Sequence, residues 1–314
     1  MMKIKTGLIT LAMAAAAAFC FSGCSIGNFY SNADKYTSGD REITEEIKQI
    51  DVNWSSGSVD ISRHDKNTVS ISESCPDKLE DSKKVHTWVD GKKLRVQYSK
   101  SGESFMFKSY DKRLEIKIPK NMKLDDINFD GSSSDITIED MESEHIRIDV
   151  SSGDVKVSDC TAKTIDADSS SGNVTIVQKG ESDSISADSS SGKVKITAEK
   201  VGKISVDTSS GKATVDVKEA KNVSVDTSSG NAELSFEEKV PNRTKIDTSS
   251  GDVEISVPED ADFEAEVDTS SGDVDTDMSM SRDGDTYTRG SGGNKMSIDT
   301  SSGDVRFMLN ESDD

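Results

Sequence analysis

Five aspartates near the end of the chain have the residue type and spacing of a cation site. Three alternate along what we expect to be one strand face, and two follow in a nearby loop: Asp273, Asp275, Asp277, Asp283 and Asp285. Carboxylate oxygens are ligands that suit Ca²⁺. A helix–loop–helix calcium loop is excluded, because Met278 stands where that loop needs glycine and Gly284 where it needs glutamate. The pattern leaves two alternatives, a surface Ca²⁺ site made by these five side chains or a solvated acidic edge.

A longer series of aspartates precedes most copies of a short Ser-Ser-Gly phrase by four positions. Its members are Asp130, Asp149, Asp168, Asp188, Asp207, Asp226, Asp247, Asp268 and Asp299. If the phrases stack, these side chains form a ladder on the solvent side, and neighbouring charges about 4.8 Å apart repel by about 0.9 kcal/mol in water. Water, nearby hydroxyls and amides, or cations must offset that repulsion. Aspartate is also a common turn former, so we interpret the series as structural, with a cation ladder as the alternative.

The residues that could support catalysis do not form a recognisable site. Ser190–Lys193 and Ser209–Lys212 match the Ser-x-x-Lys spacing of penicillin-recognising enzymes, but they arise from the repeat itself and lack the partner motifs. The segment "GSGGNK" at 290–295 is interpreted as a flexible loop rather than a phosphate cradle. The histidines are isolated and lack metal-binding spacing: His64, His86 and His145. We therefore predict that the protein is not an enzyme.

The start of the chain has the pattern of an export signal. Lys3 and Lys5 precede an apolar run over residues 7–23, and these 17 residues fall short of the roughly 20 that a spanning helix needs. The run ends in "FSGC", which resembles the lipobox where a bacterial signal peptidase leaves a lipid-modified cysteine. We predict a lipoprotein signal peptide at 1–23, lipidation of Cys24 and a flexible tether at 24–44. The mature protein is then extracytoplasmic, lipid-anchored in the cell membrane and facing the cell surface.

The charge balance limits the partners. The formal net charge is -21, and removal of Lys3 and Lys5 with the signal makes it -23. Such acidity disfavours nucleic acids and anionic lipid surfaces, which attract Lys and Arg patches. Cationic partners and divalent cations are compatible with this negative charge. Cys75 and Cys160 are expected to be unpaired.

A short phrase ending in glycine recurs about every 20 residues. The copies end at Gly153, Gly172, Gly192, Gly211, Gly230, Gly251, Gly272 and Gly303, and a degenerate copy has Ser134 in the glycine position. A fixed period near 20 residues is typical of a solenoid, in which each coil buries its apolar face against its neighbours. An early match, "SSGSVDI", lies at 55–61. The last copy is expected to close the stack.

Alternation within each copy predicts strands. Ile204 and Val206 precede one corner, and Ala213, Val215 and Val217 follow it at every second position. We expect two strands per coil to meet at a Ser-Ser-Gly corner, where glycine supplies the positive φ of a sharp bend and the hydroxyls bond along the stack. The fold class is therefore all-β, a parallel β-solenoid over 121–309. An irregular β-rich N-terminal part at 45–120 precedes it, with strand-like runs at 50–62, 67–73, 85–98, 104–108 and 113–118, and an acidic tail at 310–314 follows.

The segment "LEIKIPKNMKLDDINFDGSSSDITIED", followed by serial "IDTSSGDV" phrases, resembles the bacterial putative-adhesin family of β-strand repeat proteins of unknown function. The resemblance covers roughly residues 45–309. It implies a single-stranded, right-handed parallel β-helix on the cell envelope.

The function predicted from these patterns is a non-enzymatic envelope lipoprotein that presents an acidic solenoid surface for adhesion or protein interaction. Its partners are the membrane, through the lipid anchor, and an unknown envelope protein or surface ligand, as in envelope stress signalling. One alternative is a Ca²⁺-dependent binding module, and Ca²⁺ is the one cofactor considered. Another is a polysaccharide-active β-helix enzyme, which the 5% aromatic content disfavours. Trp54 and Trp88 precede the repeats and are interpreted as core residues.

Overall fold

The structure is a computed structural model that describes residues 29–103 and 110–310. The predicted signal peptide, Cys24, the run at 104–108 and residues 311–314 lie outside the described residues. The described part consists of strands and two short 3-10 turns, Ala33–Lys35 and Asp81–Lys83, and it contains no α-helix. Accordingly, no helix in that part is long and apolar enough to cross a membrane. The all-β prediction is confirmed.

The strands fall into an irregular N-terminal group, a regular middle and an irregular end. The first group is β1 (Thr37–Ser38), β2 (Arg41–Ile43), β3 (Gln49–His64), β4 (Val69–Ser74), β5 (His86–Asp90), β6 (Lys93–Gln97) and β7 (Arg113–Pro119). The middle is β8 (Leu124–Glu139), β9 (Glu142–Val150), β10 (Val155–Ser169), β11 (Val174–Ser189), β12 (Val194–Thr208), β13 (Ala213–Thr227), β14 (Ala232–Phe236), β15 (Arg243–Thr248) and β16 (Val253–Val257). The end is β17 (Phe263–Thr269), β18 (Val274–Thr276), β19 (Ser281–Asp283), β20 (Thr286–Arg289), β21 (Asn294–Thr300) and β22 (Val305–Leu309).

The middle strands stack in parallel, one repeat above the next. β11, β12 and β13 pair in parallel, with one register shift between Gln178 and Glu181, and Ile185, Ile204 and Val223 lie directly above one another. Side chains alternate between inside and outside along each strand, and the inward positions are almost fully buried. Each coil thus supplies a thin apolar layer that only its neighbours can cover, which explains why the fold needs many copies.

The corner glycines are required by the neighbouring coil and not by their own φ. The corner copies from Gly153 onward do not have positive φ, and the early copy at Gly57 does, at 92°. A Cβ built on Gly211 would lie 1.7 Å from the carbonyl oxygen of Gly192, and one on Gly230 would lie 1.7 Å from that of Gly211. The predicted reason for glycine is therefore wrong for these copies. Glycine is needed because each corner rests on the backbone of the corner below it.

At three corners, those of Ser169, Ser189 and Thr208, the hydroxyl three positions before the glycine bonds in two directions. Ser189 Oγ accepts a hydrogen bond from the N–H of Gly192 (2.9 Å) and donates one to the carbonyl of Gly172 in the coil below (2.9 Å). Thr208 makes the same pair of contacts, with Gly211 N–H (3.1 Å) and the Gly192 carbonyl (3.4 Å). The predicted bonding of hydroxyls along the stack is confirmed, with backbone carbonyls as the acceptors.

The coils at the C-terminal end are not stacked in sequence order. β21 and β22 lie between the coil of β15 and β16 and the coil of β17 and β18. A Cβ on Gly303 would meet the carbonyl of Gly251 at 1.9 Å, and one on Gly272 would meet that of Gly303 at 1.9 Å. The expectation that the last copy closes the stack is therefore wrong. The chain skips one level, forms the outermost coil over residues 263–276 and returns to fill the gap.

The N-terminal end is built in a similar way. β3 pairs with β8 on one side and with β6 and β7 on the other, so the first coil in sequence is the second in space. Antiparallel strands cover the outer edges: β4 pairs with β7 and β5 with β6, while β20 pairs with β17 at the opposite end. Covering an edge in this way prevents unintended strand pairing.

Two segments that looked flexible in sequence are ordered. From residue 29 onward the predicted tether is packed, with β1 paired to β5, β2 paired to β4 and Ile43 buried. The "GSGG" loop encloses a carboxylate of its own chain. Asp262 accepts hydrogen bonds from the hydroxyl and N–H of Ser291 (both 2.7 Å) and from the N–H of Gly292 (2.7 Å). These hydrogen bonds lower the pKa of Asp262, and that of the Ser291 hydroxyl contributes most. They also hold the segment through which the chain returns to form β21.

We predict that Gly211→Ala destabilises the protein by at least about 2 kcal/mol, because the new methyl group collides with backbone that cannot move without its neighbours. The measurement is urea unfolding followed by circular dichroism. Ser210→Ala is the matched control, since Ser210 is exposed on the same corner and its substitution should change stability by less than about 0.5 kcal/mol. Equal stability of the two variants would contradict the corner contact.

Candidate functional site

The predicted ladder of aspartates is present and continuous. Parallel register places Asp149 between Asp130 and Asp168, and the ladder continues through Asp188 and Asp207. Its upper part follows the spatial order of the coils, with Asp299 lying between Asp247 and Asp268. The side chains are on the solvent side, because the residues before and after them point into the core. We call these nine residues the aspartate ladder.

Partial desolvation, and then repulsion between neighbouring carboxylates, raises the pKa of several members of the aspartate ladder. The pKa of Asp168 is raised to about 6, first because its surroundings are partly desolvated and then because Asp188, Asp149 and Asp166 are nearby. Partial desolvation is also the main cause of the raised pKa of four other members: Asp130, Asp188, Asp207 and Asp226. Like charges in a row favour the neutral form, and so a cationic partner would be attracted.

Little positive charge from the chain itself compensates the aspartate ladder. Among ion pairs between described residues, a ladder member takes part only in the pair of Asp247 with Lys245. Next to it, Asp226, Asp247 and Asp299 border an open groove of about 350 Å³ together with corner serines of the same coils. The groove therefore offers carboxylates and hydroxyls at a regular spacing to a ligand outside the protein.

The five aspartates of the predicted Ca²⁺ site do not converge. Asp273 and Asp285 border one cavity, whereas Asp277 borders a different groove and accepts the N–H of Leu309 (3.3 Å). Asp275 and Asp283 border neither. Within 29–103 and 110–310, no three His, Cys, Asp or Glu side chains are arranged to hold a metal ion.

The candidate catalytic residues occupy structural positions. Ser190 uses its carbonyl to accept the N–H of Ser210 in the next coil (3.2 Å), and the N–H of Lys193 donates to the side chain of Asn173 (3.0 Å). The Ser-x-x-Lys spacing therefore reflects stacking. The histidines lie apart, and each contacts a local partner: His64 the carbonyl of Thr68, His86 that of Lys84, and His145 the hydroxyl of Thr164.

The remaining chemically distinctive residues are structural as well. Both cysteines in the described part are free, and burial raises the pKa of Cys160 to about 11. Trp54 is fully buried, as expected, whereas Trp88 is only half-buried beside Lys35 and Tyr36. Lys112 is fully buried beside Trp54, and its ammonium group contacts Glu73 at 2.6 Å.

The whole-chain net charge conceals an asymmetry along the solenoid. Residues 29–123 carry 18 basic and 16 acidic side chains, whereas residues 124–314 carry 18 basic and 43 acidic ones. The excess of negative charge thus lies entirely on the coils beyond the N-terminal part. The net charge of each segment reveals this asymmetry in the sequence, whereas the net charge of the whole chain does not.

Comparison with known proteins identifies the family. The family model described as Toastrack DUF4097 matches residues 47–243 and 182–307, and the chain belongs to this family. No curated protein matches the chain.

Three solved structures match much of the chain at low identity, and one of them reaches a TM-score of 0.50. A structure described as a putative lipid binding protein from Parabacteroides distasonis is 17% identical, with a TM-score of 0.50, and the match covers 86% of this chain and 96% of that one. A putative adhesin from Bacteroides fragilis is 14% identical, with a TM-score of 0.40 and coverage of 88% and 97%. A putative cell adhesion protein from Clostridium sporogenes is 11% identical, with a TM-score of 0.25 and coverage of 88% and 100%.

The raised pKa of Asp168 predicts a pH-dependent gain of stability in Asp168→Asn. Because the folded-state pKa lies above the ordinary value of 3.8, the charged carboxylate penalises the fold above about pH 6, and the penalty disappears as the pH falls below about 4. With allowance for solvent screening, we expect the variant to be more stable by about 1 kcal/mol at pH 7.5 and by nothing at pH 3.5.

The measurement is urea unfolding at the two pH values. Asp183→Asn is the control, because Asp183 is exposed and outside the aspartate ladder. A loss of stability in Asp168→Asn at pH 7.5 would contradict the account, since it would mean that the carboxylate is held by a favourable partner.

Proposed function

We propose that this protein is a non-enzymatic, extracytoplasmic lipoprotein, anchored through Cys24, whose acidic coils bind a cationic surface of another envelope protein or of an adhesion target. The observation that carries the proposal is the aspartate ladder. It is a continuous row of nine solvent-facing carboxylates, five of which have raised pKa values, with a single ion pair within the described residues. The carboxylates in such a row repel one another, and a bound cationic partner would reduce that repulsion.

Several observations support a binding role over catalysis. The serines and lysines of the Ser-x-x-Lys phrases belong to the backbone stacking of the corners, and each histidine side chain contacts a local partner far from those phrases in the sequence. The solved structure with a TM-score of 0.50 is named for lipid binding and not for an enzymatic activity. We also propose that the coil is right-handed, because crossover connections between parallel strands have that hand in nearly all cases.

The charge asymmetry is compatible with anchoring at the N-terminus. Cys24 precedes the first described residue by five positions, so a lipid there would hold the nearly neutral end of the solenoid close to the bilayer. The acidic coils would then point away from the negatively charged lipid surface, where a partner can reach them.

Lipid anchoring is tested by Cys24→Ala in the native host. We expect the wild-type protein to incorporate labelled palmitate and to sediment with membranes. Cys24→Ala should lose the label and appear in the soluble exported fraction, because the substitution removes the side chain that carries the acyl chains. Cys75→Ala is the control and should retain both properties. Membrane association of Cys24→Ala equal to wild type would contradict the anchor.

The binding surface is tested by chemical cross-linking on intact cells, with and without an added matrix or host surface. Asp207→Asn/Asp226→Asn should reduce capture of the cross-linked protein at least about tenfold. Glu219→Gln/Glu238→Gln removes the same charge outside the aspartate ladder and should not reduce it. Equal capture by the two double variants would overturn the ladder as the contact surface, and capture that requires the added surface would assign the role to adhesion.

A further inference from the structure

The outermost coil at the C-terminal end has a free strand edge. β18 pairs with β22 along one edge, and along the other it has no partner among the described strands. The N–H of Val305 donates to the carbonyl of Asp273 (2.9 Å), and the N–H of Asp277 donates to the carbonyl of Phe307 (3.3 Å). Because hydrogen-bonding direction alternates along a strand, Val274 and Thr276 direct their N–H and C=O groups towards the free edge.

An acidic cavity lies beside this edge. It has a volume of about 260 Å³ and lies between the corner of the outermost coil and the hairpin of β19 and β20, bordered by Asp268, Asp273 and Asp285. In the coils beneath, the side chain at the Asp273 position accepts an N–H from the coil above, as Asp252 does from Asp304 (3.1 Å) and Asp304 from Asp273 (2.9 Å). No described coil lies above Asp273. Its carboxylate therefore accepts no N–H from a further coil.

A buried hydroxyl also points to a missing ligand. Tyr287 borders the same cavity and is 5% exposed, and its hydroxyl has no hydrogen-bond partner among the described residues. A buried hydroxyl without a partner is unfavourable, and a ligand with a polar group would satisfy it.

Arg282 also borders the cavity, and its single positive charge only partly offsets the three carboxylates. The guanidinium of Arg282 lies 5.0 Å from the centre of the Tyr287 ring, its Nε donates to the carbonyl of Gly284 (2.9 Å), and it makes no ion pair with a described carboxylate. Residues 259–310 carry 13 acidic and 4 basic side chains, so a second copy of this acidic end would be repelled. Charge complementarity selects a basic partner.

We propose that the free edge of β18 binds an extended, cationic peptide segment of another protein, which adds as a further parallel strand. One Lys or Arg side chain of this segment enters the cavity between Asp268, Asp273 and Asp285 and donates to the Tyr287 hydroxyl. Main-chain hydrogen bonds to Val274 and Thr276 supply affinity, and the carboxylates select positive charge. The inference rests on the proposed binding function and assigns it a specific place and partner class.

The test uses calorimetric titration of the full chain with a peptide of about eight residues in which Lys and Val alternate, and with the matching Glu–Val peptide. We expect the Lys–Val peptide to bind, with affinity that falls as salt increases, and the Glu–Val peptide not to bind. Asp273→Asn/Asp285→Asn should weaken binding at least about tenfold. Asp207→Asn, far from this end, should leave the affinity unchanged.

A second variant separates strand addition from simple charge attraction. Val274→Pro removes an N–H from the free edge while leaving the hydrogen bonds to β22, and it should abolish binding at unchanged melting temperature. Wild-type affinity in Val274→Pro would overturn strand addition. Binding of Ca²⁺ alone, without binding of the Lys–Val peptide, would overturn the peptide site in favour of a metal. Failure of the peptide test leaves the cross-linking result at the aspartate ladder unaffected, so the two proposals fail separately.

Discussion

The close approach of one corner backbone to the next is the constraint on which this structure depends. A side chain on the corner glycine would lie 1.7–2.1 Å from the carbonyl of the corner beneath it, from Gly153 to the outermost coil. At Ser169, Ser189 and Thr208, the hydroxyl three positions before the glycine links the same two corners. Glycine and hydroxyl together fix the distance between corners, and the flanking strands then pair in register, except for shifts around Cys160 and between Gln178 and Glu181. The buried layers and the aspartate ladder are consequences of that register.

The same geometry explains how the stack ends. A coil can rest on any other coil that has a compatible corner, so contact between neighbours in the sequence is not required. At the C-terminal end the chain skips a level and returns to fill it, whereas at the N-terminal end the second level is formed before the outermost one. Antiparallel strands cover much of the outer edge at both ends. Because the closing hairpin at the C-terminal end pairs with β17, the edge of β18 is left free, and it lies in the most acidic part of the chain. The way in which the stack ends here therefore leaves the free, acidic edge at which we propose that a basic peptide binds.

The sequence predicted the features that repeat and missed those that depend on distant partners. Alternation and period predicted parallel strands, the solenoid and the register of the aspartate ladder, because each is determined within one copy. The role of the corner glycine was misassigned, since the carbonyl that excludes a side chain comes from the coil below. The position of Gly303 beneath Gly272 was missed, because near-identical phrases give no local signal of order. Asp262 and its "GSGG" loop are about 30 positions apart, and neither alone indicates the contact.

The central claim is that the last corners stack out of sequence order, and cysteine cross-linking tests this most directly. Asp304 lies directly above Asp252, and Asp273 lies one level further. With Cys75→Ser in the background, a short thiol-specific cross-linker should join the cysteines of Asp252→Cys/Asp304→Cys in high yield and those of Asp252→Cys/Asp273→Cys poorly. The expected separations are one and two strand spacings, about 4.8 and 9.6 Å. Efficient cross-linking of the second pair and not of the first would show that the coils stack in sequence order, which would contradict this account.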